Sequence, residues 1–185
     1  MSERFQPLTY YLREAAGLTF PRFLAVHNRP VLLWSQSLNW TERIDPQFET
    51  SEQEFNNDLS LSPTAETESQ VAGTLVIEVR KQAGSGPANT VFIGRAANND
   101  IIFPEKAVSK LHAYFLQSES GDSYEIVDAD STNSTRVNSL CLASYQNQPL
   151  NNQDRIDFGP SIRTMYMTTR GFYDFLQHLH RSGIT

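Results

Sequence analysis

One cysteine, Cys141, stands in 185 residues, so the chain can form no internal disulfide. It lies in the apolar run "LCLA", where a thiol is expected to behave as a small core hydrophobe. A reducing, cytoplasmic setting fits. Long hydrophobic runs are also missing. The longest, "FLAV" and "VLLW", fall far short of the ~18–20 residues a membrane span takes. No charged stretch leading into a leucine-rich one opens the chain, so no secretion signal is expected. Lysine and arginine vanish from residues 45–72, which hold seven acids: Asp45, Glu49, Glu52, Glu54, Asp58, Glu66 and Glu68. The net charge of −6 is therefore a property of that one segment. Residues 1–44 carry +2 and residues 73–185 carry −1, so no basic face is broad enough for nucleic-acid backbones.

The acidic segment shows neither helical nor strand periodicity and is rich in Ser, Thr, Glu and Asn. It buries too little apolar surface to offset its ordering entropy, and residues 45–73 read as a flexible linker. Residues 1–44 form an apolar, helical extension. "PLTYYLREAAGL" is a short helix ending near Gly17, and Pro30 separates a second turn from an extended piece. Trp34, Trp40, Phe20, Phe23, Leu32 and Leu33 make this segment too apolar for a free tail; it packs on the rest or on a partner protein. From residue 74 to 170 the texture is of short β-branched and aromatic runs, such as "TLVIEV", "TVFIG", "SYEIV" and "RTMYMT", separated by turn residues. That pattern predicts an antiparallel β-sandwich. Residues 171–185 close the chain with a helix, because Phe172, Phe175, Leu176 and Leu179 fall at i, i+3, i+4 and i+7.

Three loops concentrate the chemistry. "IGRAANNDI" holds Gly94, which lets the backbone turn, and Arg95, a planar fork of donors suited to a dianion. "VSKLHA" places Ser109 and His112 three residues apart. "DADSTNSTRVNS" is almost wholly short oxygen and amide carriers. Each has other readings. Asn133-Ser134-Thr135 is formally a glycosylation sequon, which the missing secretion signal disfavours. Asp128 and Asp130 suggest calcium, but the glycine and distal glutamate of a binding loop are missing. Ser109 with His112 suggests a hydrolase, but no nucleophile elbow or third carboxylate accompanies them. Arg95 could simply pair with Asp100. His178 and His180, at i and i+2, point apart on a helix and do not read as metal ligands. No enzyme, metal or cofactor is expected.

In order along the chain, Gly94-Arg95, Asp100-Ile101-Ile102, Ser109-x-x-His112, Asn133-x-Thr135-x-x-Asn138 and "DRIDFG" resemble the forkhead-associated (FHA) domain family. The resemblance covers about residues 74–168. It implies an FHA-type β-sandwich and a non-catalytic adaptor that binds phosphothreonine peptides in Ser/Thr kinase signalling, its partner a kinase or kinase substrate. It further implies that Arg95, Ser109 and Lys110 meet the phosphate, that Asn133 beside Thr132 grips peptide backbone, and that His112 supports the loops from below. Gly94 and Asn138 count as loop-structural. Ser134 and Ser139 stand where the family usually has glycine, so a reshaped or strained loop is expected there. The alternative is a scaffold on the same fold that binds without phosphate. Some bacterial relatives dock a phosphorylated threonine of their own N-terminal segment; Thr50, Thr64 and Thr67, set among acids, are the corresponding candidates.

Overall fold

The computed structural model describes residues 5–35, 65–82, 84 and 86–184. Among the described residues, twelve strands form two sheets. The larger contains β1 (Phe5–Pro7), β2 (Val31–Ser35), β3 (Thr74–Glu78), β8 (Thr135–Val137), β9 (Leu140–Cys141), β11 (Arg155–Phe158) and β12 (Ile162–Met167), in the order β1-β3-β2-β12-β11-β8-β9. The smaller contains β4 (Thr90–Gly94), β5 (Ile101–Ile102), β6 (Ala113–Gln117), β7 (Tyr124–Asp128) and β10 (Asn147–Pro149), in the order β10-β7-β6-β4-β5. Every strand pair is antiparallel except β4 with β5. The described residues also form four helices: α1 (Leu8–Ala15), α2 (Phe20–Val26), α3 (Ala65–Ala72) and α4 (Thr169–Arg181).

Alternation along the strands sorts side chains into two apolar clusters. Leu32, Ile77, Ile93, Phe115, Ile156 and Phe158 fill the space between the sheets. Val31, Leu33, Val76 and Met167 point the other way and meet Leu8, Leu12, Phe23, Phe172 and Leu176 of the helices. The unbroken run "VLLW" follows: β2 is buried on both faces, so neither parity needs a polar residue. Helix α4 starts where Thr168 accepts a hydrogen bond from the Gly171 amide (3.1 Å). It lies against α1 and α2, with Tyr173 Oη donating to the Leu18 carbonyl (2.8 Å) and His180 Nε2 bonded to that of Leu12 (2.8 Å).

Three expectations change. Of residues 1–44, the described residues 5–35 are not an appended extension, because β2 lies between β3 and β12 inside the larger sheet and β1 caps its edge. The apolar demand of Leu32 and Leu33 is met by the sandwich itself. The segment read as linker through residue 73 ends in α3, whose Val71 is buried with the helical cluster against α1. Cys141 is exposed, not a core thiol. Its run "LCLA" forms a two-residue edge strand whose neighbour Leu140 is 74% exposed. Trp40, Thr50 and Thr64 lie outside the described residues, and Thr67 falls on α3. Among the described residues no helix is long and apolar enough to cross a membrane.

Candidate functional site

Three loops meet at one end of the sandwich: 95–100 after β4, 103–112 before β6, and 129–134 between β7 and β8. Main-chain bonds join the first two, from Arg95 N to Ser109 O (2.8 Å) and from Ala96 N to Lys110 O (3.1 Å). That close approach explains Gly94. A Cβ there would overlap the Lys110 carbonyl oxygen and crowd Asn99 Nδ2 (2.9 Å). The glycine serves proximity and not, as its sequence context suggested, a turn. Asn99 is buried and donates through Nδ2 to both Ala96 O (2.8 Å) and Lys110 O (2.6 Å), clamping the same pair of loops.

The third loop is tied on by Ser109, His112 and Asn133. Thr132 N donates to Ser109 Oγ (3.0 Å), and the Ser109 hydroxyl lies 3.4 Å from Thr132 Oγ1. Asn133 Nδ2 donates to Ala107 O (2.8 Å). His112 is fully buried and accepts at Nδ1 from Ser109 N (3.1 Å), so its proton sits on Nε2, which donates to Ser134 O (3.3 Å). Burial, chiefly, holds its pKa below the ordinary 6.5, against the opposing pull of the Ser134 carbonyl and the Asp128 charge. Protonation would place a second hydrogen against the Ser109 amide. The ring is a neutral strut.

Asp128, at the end of β7, organises the loop of short polar residues. Its Oδ1 accepts from Ser131 N (2.9 Å); its Oδ2 accepts from Ser131 Oγ (2.7 Å), Thr135 N (2.8 Å) and Thr135 Oγ1 (2.6 Å). Burial pushes the carboxyl up, yet these four donors outweigh it and hold its pKa below the ordinary carboxylate value. Much of the oxygen in this loop therefore serves the loop itself. Ser134 and Ser139 adopt φ of 60° and 75°, so the left-handed conformation survives without glycine.

The arrangement leaves a cationic rim. Arg95 is exposed; its Nε donates to Val108 O (3.1 Å), and among the described residues no acceptor binds its two terminal nitrogens. The pairing with Asp100 is replaced. Asp100 is buried, takes Lys81 Nζ (3.1 Å) as its ion partner, and accepts from Gln82 N and Phe92 N. Lys110, Thr132 and Asn133 are exposed beside Arg95, and Ser109 is half-buried. A groove of about 680 Å³, lined by Phe92, Ala96, Asn98, Lys110 and Leu111 among others, continues from Lys110. The structure thus gathers Arg95, Ser109, Lys110, Thr132 and Asn133, with Gly94 and His112 directly beneath. Asn138 is elsewhere. At the far end of β8 it bonds Asp154 Oδ1 (2.7 Å) and Arg155 N (2.9 Å), closing the turn before β11.

Sequence reasoning missed Asp128, Asn99 and Gly159. An Asp at a strand end followed by Ser and Thr is a turn-capping signal that would have found the first. Asn99 and Gly159 act across chain-distant loops, Asn99 through Lys110 and Gly159 through Ala107. At Gly159 (φ 65°), a Cβ would press on Ala107 O (3.0 Å) and Asn133 Cβ (3.3 Å). Among the described residues no group of three His, Cys, Asp or Glu side chains is placed to hold a metal ion.

Residues 91–159 match the family model of the FHA domain. No curated protein matches the chain. Among solved structures, EmbR of Mycobacterium tuberculosis, in complex with a low-affinity phosphopeptide, is 29% identical over 43% of this chain and 20% of its own, with a TM-score of 0.38. This chain thus spans a fifth of that relative. The FHA domain of the CT664 protein from Chlamydia trachomatis is 17% identical over 50% of this chain and 83% of its own, with a TM-score of 0.41. The Slr1951 protein from Synechocystis sp. is 18% identical over 75% of this chain and 96% of its own, with a TM-score of 0.44.

Proposed function

We propose, since residues 91–159 match the family model of the FHA domain, that this protein is a non-catalytic adaptor that binds phosphothreonine peptides in Ser/Thr kinase signalling. FHA domains are in general phosphopeptide-binding modules without catalytic chemistry. The observation that carries the reading is Arg95. One nitrogen is spent on Val108 O, which orients the guanidinium, and its two terminal nitrogens remain for an anion. Ser109 and Lys110 supply a hydroxyl and a second charge, and Thr132 and Asn133 are exposed to meet the peptide main chain. Preference for threonine over serine then rests on packing of one methyl, about 0.8 kcal/mol when buried.

The test is a titration of matched phosphothreonine and threonine peptides against wild type and Arg95→Ala. Each charge-assisted bond contributes about 1.5–3 kcal/mol, so Arg95→Ala is expected to weaken phosphopeptide binding by roughly tenfold or more. Equal affinity of wild type for both peptides overturns the reading in favour of a scaffold that binds without phosphate.

A regulatory element fits the same site: a phosphorylated threonine of the chain's own acidic segment. The chain leaves β2 at Ser35, which pairs with Thr74 of β3 at the loop end of the sandwich. Trp34 packs on Phe103 (ring centroids 5.5 Å apart), and Phe103 opens the loop that carries Ser109. Thr50 is the best placed of the three candidates. Thr67 sits on α3, and Thr64 abuts its start, whereas a main-chain grip requires extended peptide. From Ser35 to Thr50 the chain reaches at most ~50 Å, ample for the purpose.

A further inference from the structure

The outer face of the larger sheet is only half covered by helices. Strand register lines up one row across the uncovered half. Arg136 pairs with Cys141 on one side and with Asp157 on the other, and Asp157 pairs with Arg163. Thr164 pairs with Trp34, so the register carries Arg163 level with Ser35. The neighbours Val137, Ile156, Phe158, Ile162 and Thr164 point into the sandwich, which turns this row outward. Arg155 stands on the same face, two residues from Asp157.

Three arginines therefore share a single acid. Arg155 Nε lies 3.5 Å from Asp157 Oδ1 without a hydrogen bond, and its Nη2 donates to Ser139 Oγ (2.7 Å). Arg136 Nε reaches only the Cys141 sulfur (3.2 Å). Arg163 is exposed and has no carboxylate within ion-pair distance among the described residues. The patch is left with a charge of about +2 on a chain of net −6.

We propose that this arginine face docks the chain's own acidic segment, residues 45–58, in the unphosphorylated protein. Charge complementarity is one reason: Asp45, Glu49, Glu52, Glu54 and Asp58 have no basic residue among them. The other is where the chain leaves the sheet. Ser35, the last residue of β2, sits at the end of the arginine row. Three strand spacings of about 4.8 Å span the row from β12 to β9, well within reach of the nine residues that separate Ser35 from Asp45. Docking holds the segment one residue pair below the loop of Thr132 and Asn133, because the pair Thr135–Phe158 is all that intervenes. The proposal concerns carboxylates, and it stands apart from the anion site at Arg95.

Cys141, exposed and the only cysteine, reports on the row directly. A nitroxide attached to it in the full chain is expected to broaden the amide resonances of residues 45–58 at ~0.1 M salt, with the broadening falling severalfold at ~1 M, where charges are screened beyond roughly 3 Å. Arg136→Glu with Arg163→Glu is expected to abolish it. Because the label displaces the Arg136 contact, a second measurement uses unlabelled protein. Changing Glu49, Glu52 and Glu54 to Gln is expected to shift the amides of Arg136, Asp157 and Arg163 and leave the Asp128 loop unmoved. Broadening that is equal in wild type and the charge-reversed variant overturns the proposal. So does broadening seen only when labelled and unlabelled copies are mixed, which would make a second copy the occupant.

Discussion

Arg95 and Asp128 carry opposite charges in neighbouring loops and do opposite work: one faces outward with donors to spare, the other is spent on its own loop. Between them His112 and Gly94 set the spacing. Replacing Gly94 by Ala forces a methyl into the Lys110 carbonyl, and overpacking against backbone that cannot swing away costs about 2–4 kcal/mol. Urea denaturation checks this, and a loss under ~0.5 kcal/mol would show that the loops yield. His112 predicts a pH effect. Its folded pKa lies below 6.5, so the unfolded chain binds the proton more tightly; its contribution is complete above that value and is lost as pH falls. Unfolding free energy is expected to decline from about pH 7.5 to 5, and His112→Gln to flatten that slope relative to wild type. Asp128, held below the usual carboxylate pKa, contributes its own loss only at more acid pH, so the two effects separate.

At the scale of elements, the N-terminal strands decide what the domain is. The family match begins at Val91, yet β2 and β1 precede it by more than fifty residues and β2 sits mid-sheet. A fragment starting at residue 74 would expose the β3 and β12 edges and the apolar face formed by Val76 and Met167. Such a fragment is expected to aggregate or to give a collapsed amide spectrum, whereas the full chain gives dispersed resonances. A soluble, cooperative fragment would show that β2 is dispensable. Helix α4 and most strands from β3 to β12 were legible as short apolar or alternating runs, whereas β10, the exposed run Asn147–Pro149, carries no such signal. Strand β2 was legible as apolar but not as sheet, since burial on both faces erases alternation.

For the molecule as a whole, the chain leaves β2 toward the acidic segment at Ser35, next to Trp34, which packs on the Phe103 that opens the Ser109 loop. A tether of this kind raises local concentration to the order of millimolar, which outcompetes peptides that bind at micromolar strength. Phosphorylation of the full chain by a threonine kinase is expected to lower its affinity for an external phosphothreonine peptide by roughly tenfold or more, and Thr50→Ala to remove that loss. Retained peptide affinity in phosphorylated wild type counts against self-docking; loss that persists in Thr50→Ala moves the site to Thr64 or Thr67.

The order of short motifs along the chain was enough to single out the residues that the structure gathers around Arg95, because each motif is local and its chemistry survives without coordinates. Local pattern also located most of the strands after residue 74 and the closing helix. Only the tertiary structure decided that Asp100 belongs to Lys81 and leaves Arg95 available, that Cys141 is exposed, and that Asn99 and Gly159 hold loops far apart in sequence. Partnership of charges and the close approach of backbones depend on strand register across the sheets. Register is set by the packing of all the strands together, and no single stretch of residues encodes it.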